Sequence, residues 1–173
     1  DNTATTTLTL SGLIGSETLN STNTSTFNNK NVGSNKAVTV TSITLQDGSG
    51  DADNYSISAG QTTTANITAK TLTATASASN KVYNGDNTAT TTLTLSGLIG
   101  SETLDATNNT STFNNKNVGI GKSVTVNSIT LANGTNGGLA TNYSISPGQT
   151  TTANITVKAV SYTHLTLPTS YPV

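Results

Sequence analysis

The sequence predicts an all-β chain of two tandem small β-sandwich modules, immunoglobulin-like in strand number, with a β-grasp-like sheet as the alternative. Three observations carry this expectation. A long internal repeat divides the chain in two. Within each copy, apolar residues alternate with hydroxyl residues instead of recurring at helical spacing. Thr, Asn, Ser and Gly stand where other domains carry charge: 9% of the residues are charged and 32% are apolar, against roughly a quarter charged in an ordinary soluble domain. Thr suits a pleated, half-exposed surface, while Asn and Gly supply turns. Disorder competes as an explanation of so polar a chain. Disordered segments, however, pair low hydrophobicity with high net charge, and the net charge here is −1.

The repeat fixes the organisation. Residues 1–19 return unchanged at 86–104, Phe27–Gly33 at Phe113–Gly119, Asn54–Ile57 at Asn142–Ile145, and Gly60–Thr68 at Gly148–Thr156. The offset grows from 85 (Asp1 to Asp86) to 88 (Tyr55 to Tyr143), so the second copy carries three extra residues. One lies before Phe113 and two in the stretch Ala132–Thr141, where loops are expected to absorb them. A period this long means beads rather than a solenoid. The expected division is 1–70 for a first repeat that lacks its opening strand, 71–159 for the second, and 160–173 for a tail.

Each element follows from period-two alternation, which turns one set of side chains inward and leaves the other wet. Leu8 and Leu10 alternate with Thr, as do Val38 with Val40, Ile43 with Leu45, and Tyr55 with Ile57. Between Val40 and Ile43 the phase slips by one, predicting a bulge or bend. Ala69–Ala76 continues as a further alternating strand. Asn84-Gly85 after Val82-Tyr83 predicts a hairpin turn, since both residues accept positive φ. The expected core of one module is Leu8, Leu10, Leu13, Ile14, Leu19, Phe27, Val32, Val38, Val40, Ile43, Leu45, Tyr55, Ile57 and Ile67. Burial contributes about 1.5–3 kcal/mol for each such side chain, against about 1–2 kcal/mol for ordering each residue's backbone. Only modest stability per module is expected.

Lys81-Val-Tyr-Asn-Gly85, Phe113–Gly119, Val124-Thr-Val126 and Asn142-Tyr143, in that order, resemble the YDG-type repeat of filamentous-haemagglutinin-like bacterial surface adhesins. The family triplet Tyr-Asp-Gly stands here as Tyr83-Asn84-Gly85, and Asn preserves the turn chemistry. The resemblance implies a secreted or cell-surface, outer-membrane-associated location and a structural or adhesive role, and it brings no catalytic residues. The chain has no starting Met and opens mid-pattern at Asp1, so a longer parent is expected.

The tail departs from the repeat. Where the first copy runs Lys70-Thr-Leu-Thr-Ala74, the second runs Lys158-Ala-Val-Ser-Tyr162. Val160–Thr169 resembles a transposase sequencing adaptor translated in one frame. Residues 160–173 are therefore expected to be non-native and are left out of fold reasoning. His164, the only histidine, falls in this tail, and the chain has no Cys. Without them it offers no imidazole or thiol for base, nucleophile or metal chemistry.

The candidate sites are few. Asp47, Asp51 and Asp53 form the one acidic cluster, a calcium candidate in a Gly-rich loop. The second copy has no carboxylate there, so a solvated turn is the preferred reading and no metal or cofactor is expected. Glu17 and Glu102 are the only glutamates and stand at the same position of different repeats, unlike a catalytic pair. Lys30 and Lys116, among many Asn with Glu17 or Glu102 to assist, are candidates for a Lys–Asn cross-link. Sequons at Asn66 and Asn154 are expected by chance in such a composition. Tyr55 and Tyr143 are read as core rather than as sugar platforms.

Isolated lysines and near-zero charge speak against a nucleic-acid partner, and no apolar run approaches the ~20 residues of a membrane-inserting helix. What remains is a non-catalytic stalk whose partners are neighbouring repeats of the same chain. The alternative is an adhesive module holding a host glycan or matrix protein through variable loops such as Ala132–Thr141. A glycan hydrolase is disfavoured because an acid pair is missing.

Overall fold

The computed structural model describes residues 1–164. Its elements are strands β1 (Thr3–Ala4), β2 (Leu19–Phe27), β3 (Gly33–Asp47), a 3-10 turn η1 (Ala52–Asn54), β4 (Thr62–Ile67), β5 (Lys70–Thr71), β6 (Thr73–Ala78), β7 (Lys81–Val82), β8 (Thr88–Ala89), β9 (Thr91–Ser96), β10 (Leu104–Phe113), β11 (Gly119–Asn133), a second 3-10 turn η2 (Ala140–Asn142), β12 (Tyr143–Ser144) and β13 (Thr150–Thr156). The protein is all-β, as the alternation predicts. Among the described residues there is no α-helix for a β-grasp sheet to wrap. The chain divides into two compact units: residues 1–70 with Thr141–Ser144, and residues 71–140 with the stretch from Ile145 onward.

In the first unit, one four-stranded sheet runs in the order β1-β2-β3-β4 with every pair antiparallel. The slip between Val40 and Ile43 is a β-bulge: Ser42 faces Thr24 and Val40 faces Ser25, which leaves Thr41 without an opposite number. Thr41 is held there by its hydroxyl, which lies 2.8 Å from that of Thr24. The short bridge of β12 with β5 and the side chain of Asn142 complete the unit. Asn142 Oδ1 accepts from the Val32 amide at 2.9 Å, and its Nδ2 donates to Asn31 Oδ1 at 3.1 Å.

The second unit repeats this sheet and adds to it. Its five-stranded sheet has the order β7-β13-β11-β10-β8, in which β7 lies parallel to β13 and the other pairs are antiparallel. A separate antiparallel ribbon joins β6 to β9, from Thr73 opposite Ser96 to Ala78 opposite Thr91. β6–β7 and β8–β9 are the two arms of one long hairpin. The arms pair with each other at their outer ends and splay near the tip onto opposite edges of the large sheet. The turn expected at Asn84-Gly85 is there, but it is not a two-residue type I′ turn. Only Gly85 has positive φ (92°), because the arms diverge at the tip instead of continuing as a tight ladder.

Of the three extra residues of the second copy, two lie in a loop as expected and one does not. Two enter the Gly134–Gly138 loop. The third lies inside β10, where Thr107 faces Thr130 but Thr110 faces Ser128. A strand can take an extra residue as a bulge without changing the register beyond it, so a loop is not required.

The core is smaller than the expected list. Val38 and Val40 are the buried hydrophobic residues of 1–70, whereas Leu72, Leu104, Phe113, Val124, Val126, Tyr143, Ala153 and Ile155 are buried beyond it. Ile14 is 72% exposed and Ile57 39% exposed, both against expectation. Ile14 opens a glycine turn closed by Glu17 N donating to the Ile14 carbonyl at 3.1 Å, and turn residues at a sheet end face water. The tail expectation falls largely outside the described residues. Within them, 160–164 take no regular structure and are exposed, His164 included.

Candidate functional site

Both repeats carry a groove at the same place. In the second unit, Thr91–Leu95 of β9 and Leu98 face Thr103–Ala106 at the start of β10, across a cavity of about 620 Å³. In the first, Leu8–Leu10 and Leu13 face Thr18–Ser21 across about 460 Å³. The lining is leucine and threonine, and alternation explains it. Leu93 and Leu95 are half-buried, while the alternating Thr92 and Thr94 are exposed. Such a surface offers apolar contact and hydroxyl hydrogen bonds. Asp105 is the one ionisable side chain among its lining residues.

A glycine-rich loop is fastened to Thr18 in the first unit and to Thr103 in the second, residues that line the two grooves. In the first unit, the Thr18 amide donates to Ser49 Oγ at 2.9 Å and Gly50 N donates to the Thr18 carbonyl at 3.1 Å. In the second, Thr135 N donates to Thr103 Oγ1 at 2.7 Å, Thr103 N to the Thr135 carbonyl at 3.2 Å, and Asn136 Nδ2 to the Ser101 carbonyl at 2.9 Å. The glycines are required by space. A Cβ on Gly48 would stand 2.3 Å from the Thr18 carbonyl oxygen, and one on Gly138 only 1.9 Å from that of Thr103. The stretch Ala132–Thr141 is therefore a corner fastened by its own hydrogen bonds.

The acidic candidates Asp47, Asp51 and Asp53 lie on this corner. Asp47 Oδ1 accepts from the Ala52 amide at 2.8 Å, and Asp51 Oδ1 accepts from the Asp53 amide at 3.0 Å as the cap of η1. In the second copy Asn133 Oδ1 accepts from the Ala140 amide at the same 2.8 Å. An amide oxygen thus replaces the Asp47 carboxylate with the bond kept, so the position calls for an acceptor and not for charge. Among the described residues no group of three or more His, Asp or Glu side chains is placed to hold a metal ion.

Glu17 has a specific partner that the sequence did not reveal. Its carboxylate accepts a hydrogen bond from the Tyr55 phenol, whose oxygen in turn accepts from the Ile14 amide at 3.1 Å. The hydrogen bond to Glu17 raises the phenol's pKa above its usual value of about 10. Tyr55 is half-buried and Tyr143 buried, so both pack rather than stand out as sugar platforms. The proposed Lys–Asn cross-link loses its assisting acid. Glu17 precedes β2 and Lys30 follows it, and a nine-residue strand separates them by about 3.3 Å per residue. The sequence repeat gives Glu102 and Lys116 the same relation about β10. Lys36 Nζ lies 2.6 Å from Asn29 Oδ1 and Lys122 Nζ 2.6 Å from Asn115 Oδ1.

The polar centre of the second unit is the hairpin tip. Lys81 Nζ donates to the Asp86 carboxylate and to the Thr88 carbonyl at 2.9 Å. The same carboxyl group accepts from Thr88 N at 2.9 Å, Thr88 Oγ1 at 2.6 Å and Asn84 Nδ2 at 2.7 Å. These bonds, that to Lys81 foremost, hold the Asp86 pKa well below the usual carboxylate range. Beneath them Tyr83 packs with Ala78 and Ala89 on the buried cluster of Phe113, Val124, Ala153 and Ile155. The Tyr-Asn-Gly triplet is thereby explained by structure: tyrosine covers the core, Asn84 binds Asp86, and Gly85 turns the chain.

No curated protein and no solved structure matches the chain. The YDG domain matches it twice, over residues 1–65 and 68–153, each match covering one copy of the repeat. The chain belongs to the YDG domain family.

Proposed function

We propose that this chain is part of the non-catalytic stalk of a secreted or surface-exposed bacterial adhesin, of the filamentous-haemagglutinin-like kind. Tandem YDG domains act as spacers, and the partners of each repeat are its neighbours in the same chain. The observation that supports this reading is how the polar groups are used. Asp47, Asp51, Asp86 and Glu17 bind backbone amides, a lysine or a tyrosine of their own repeat, and the loop corners are fastened down. These four side chains hold the fold.

An adhesive reading has one observation in its favour, the leucine–threonine groove present in both copies. Binding of a host glycan or matrix protein would use that groove more readily than the fastened Ala132–Thr141 loop. A screen of the full chain against glycan and host-matrix arrays separates the two. No saturable binding is expected. Specific binding lost in Leu98→Arg would replace the spacer reading with the adhesive one.

A further inference from the structure

Three Asn-Gly pairs stand in the sequence, Asn84-Gly85, Asn133-Gly134 and Asn136-Gly137, all in the second copy. Asparagine is thermolabile, and most so before glycine, which has no Cβ to keep its amide nitrogen from the asparagine side-chain carbon. The fold treats the three pairs unequally. Gly134 is clamped: its amide donates to the Gly138 carbonyl at 3.1 Å, and a Cβ on it would stand 2.2 Å from the Thr103 carbonyl oxygen. Its nitrogen is engaged, and its backbone has no room to close into a ring. Asn133 is held as well, since its Oδ1 accepts from the Ala140 amide at 2.8 Å. Asn136-Gly137 lies between two fastened residues, Thr135 and Gly138, and Asn136 Nδ2 donates across to the Ser101 carbonyl at 2.9 Å. Asn84-Gly85 is placed otherwise. Both residues are exposed, and a Cβ on Gly85 would meet nothing within 4 Å. The Asn84 side chain bonds within its own turn: Nδ2 donates to Asp86 Oδ2 at 2.7 Å, and Oδ1 accepts from the Asp86 amide at a long 3.3 Å. If Asn84 swings away, Asp86 keeps its bonds from Lys81 and Thr88.

We propose that Asn84 is a site of spontaneous deamidation, selected from the three pairs by the fold, and that the change loosens the hairpin tip. Gly85 N gives up its proton to solvent and bonds to Asn84 Cγ. The Cγ–Nδ2 bond breaks, and the nitrogen leaves as ammonia. Water then opens the succinimide at either carbonyl, giving aspartate or isoaspartate, so the whole change consumes one water and releases one ammonia. Its consequence follows from the neighbour. Where Nδ2 donated to Asp86, a second carboxylate now stands, and like charges at that distance repel. Asp86 then grips Lys81 and Thr88 less firmly, and these bonds tie β7 to β8. Isoaspartate also lengthens the main chain at the turn. The chemistry is the same whether the array acts as a spacer or as a binder.

The full chain, held at neutral pH and body temperature and mapped by peptide mass spectrometry over time, tests the site. Expected is conversion of amide to acid at Asn84, with isoaspartate among the products, at least about tenfold faster than at Asn133 or Asn136. In concentrated urea, where the fold is lost, the three pairs are expected to convert at similar rates. Native rates at Asn84 no faster than at the other two, or the same preference for Asn84 in urea, overturn the proposal that the fold selects it. The consequence is read on Asn84→Asp, which carries the product's charge from the start. Amide hydrogens of Tyr83 and Thr88 are expected to exchange faster in that variant than in the parent chain, and unchanged exchange there overturns the loosening.

Discussion

Asp86 shows how a half-exposed residue can matter to the fold. Its side chain is 49% exposed, yet it gathers Lys81, Thr88 and Asn84 around the hairpin tip. The native carboxyl titrates well below the unfolded one, near 3.9. The folded state therefore gains stability from the charged form that is fully present above about pH 5. It is lost as the pH falls, because the unfolded chain then takes up a proton that the native chain refuses. Asp86→Asn is expected to lower the melting temperature of the second unit at neutral pH, with the gap to the parent chain closing toward pH 2–3. A gap of constant size across that range would show that the pair has no electrostatic role. Asn35 offers a test of the opposite sign. It has φ of 51° at a bulge where the second copy has Gly121, φ 61°, and both amides donate at 2.8 Å to an Asn of the neighbouring strand. Left-handed backbone costs a side-chain-bearing residue about 1 kcal/mol, less for Asn. Asn35→Gly is expected to stabilise the first unit by about 0.5 kcal/mol in a denaturant titration, and Gly138→Ala to destabilise the second by about 1–3 kcal/mol because the new methyl meets the Thr103 carbonyl.

The elements show what the sequence makes readable. Alternation is a local property. It located β3, the β5–β6 stretch and, from the phase slip, the Thr41 bulge, whereas Leu8–Leu10 and Tyr55–Ile57 form no strand and β2 and β4 gave no such signal. Burial depends on what lies across the sheet, which no local pattern carries. Ile57 therefore passed as core, while Ala153, too small to draw notice, is among the most buried residues of the protein. The tip at Asn84-Gly85 was readable because glycine marks the turn; that its arms diverge to opposite sheet edges was not, since pairing with β13 and β10 is long-range. Glu17 and Tyr55 are 38 positions apart, and nothing in the intervening residues links them. The β10 insertion gives a test at this scale. The residue that makes β10 longer than β2 sits between two register points as a bulge. Deleting Asn109 is expected to leave the fold intact, with the melting temperature within a few degrees, by restoring the nine-residue strand of the first copy. Deleting Thr112, beyond the bulge, turns Ser111 or Phe113 to the wrong face and is expected to unfold the second unit. Circular dichroism of the two deletions distinguishes them.

At the scale of the whole molecule, one sequence repeated twice gives two unequal domains. The second unit closes its sheet with a hairpin whose arms reach both edges, and it buries Phe113, Val124, Ala153 and Ile155 beneath Tyr83. In residues 1–70, Val38 and Val40 are the hydrophobic residues buried to that degree. Local opening costs least where few apolar groups are buried and backbone hydrogen bonds face water. The amides of Val38 and Val40 are therefore expected to exchange with solvent faster than those of Val124 and Val126, although the four occupy matched positions in the same strand. Heating should melt the first unit ahead of the second, as two transitions rather than one. Equal protection at the matched valines would mean that the first sheet draws its stability from something other than the cover the second possesses, and the inequality of the two repeats would then be one of burial without energetic weight.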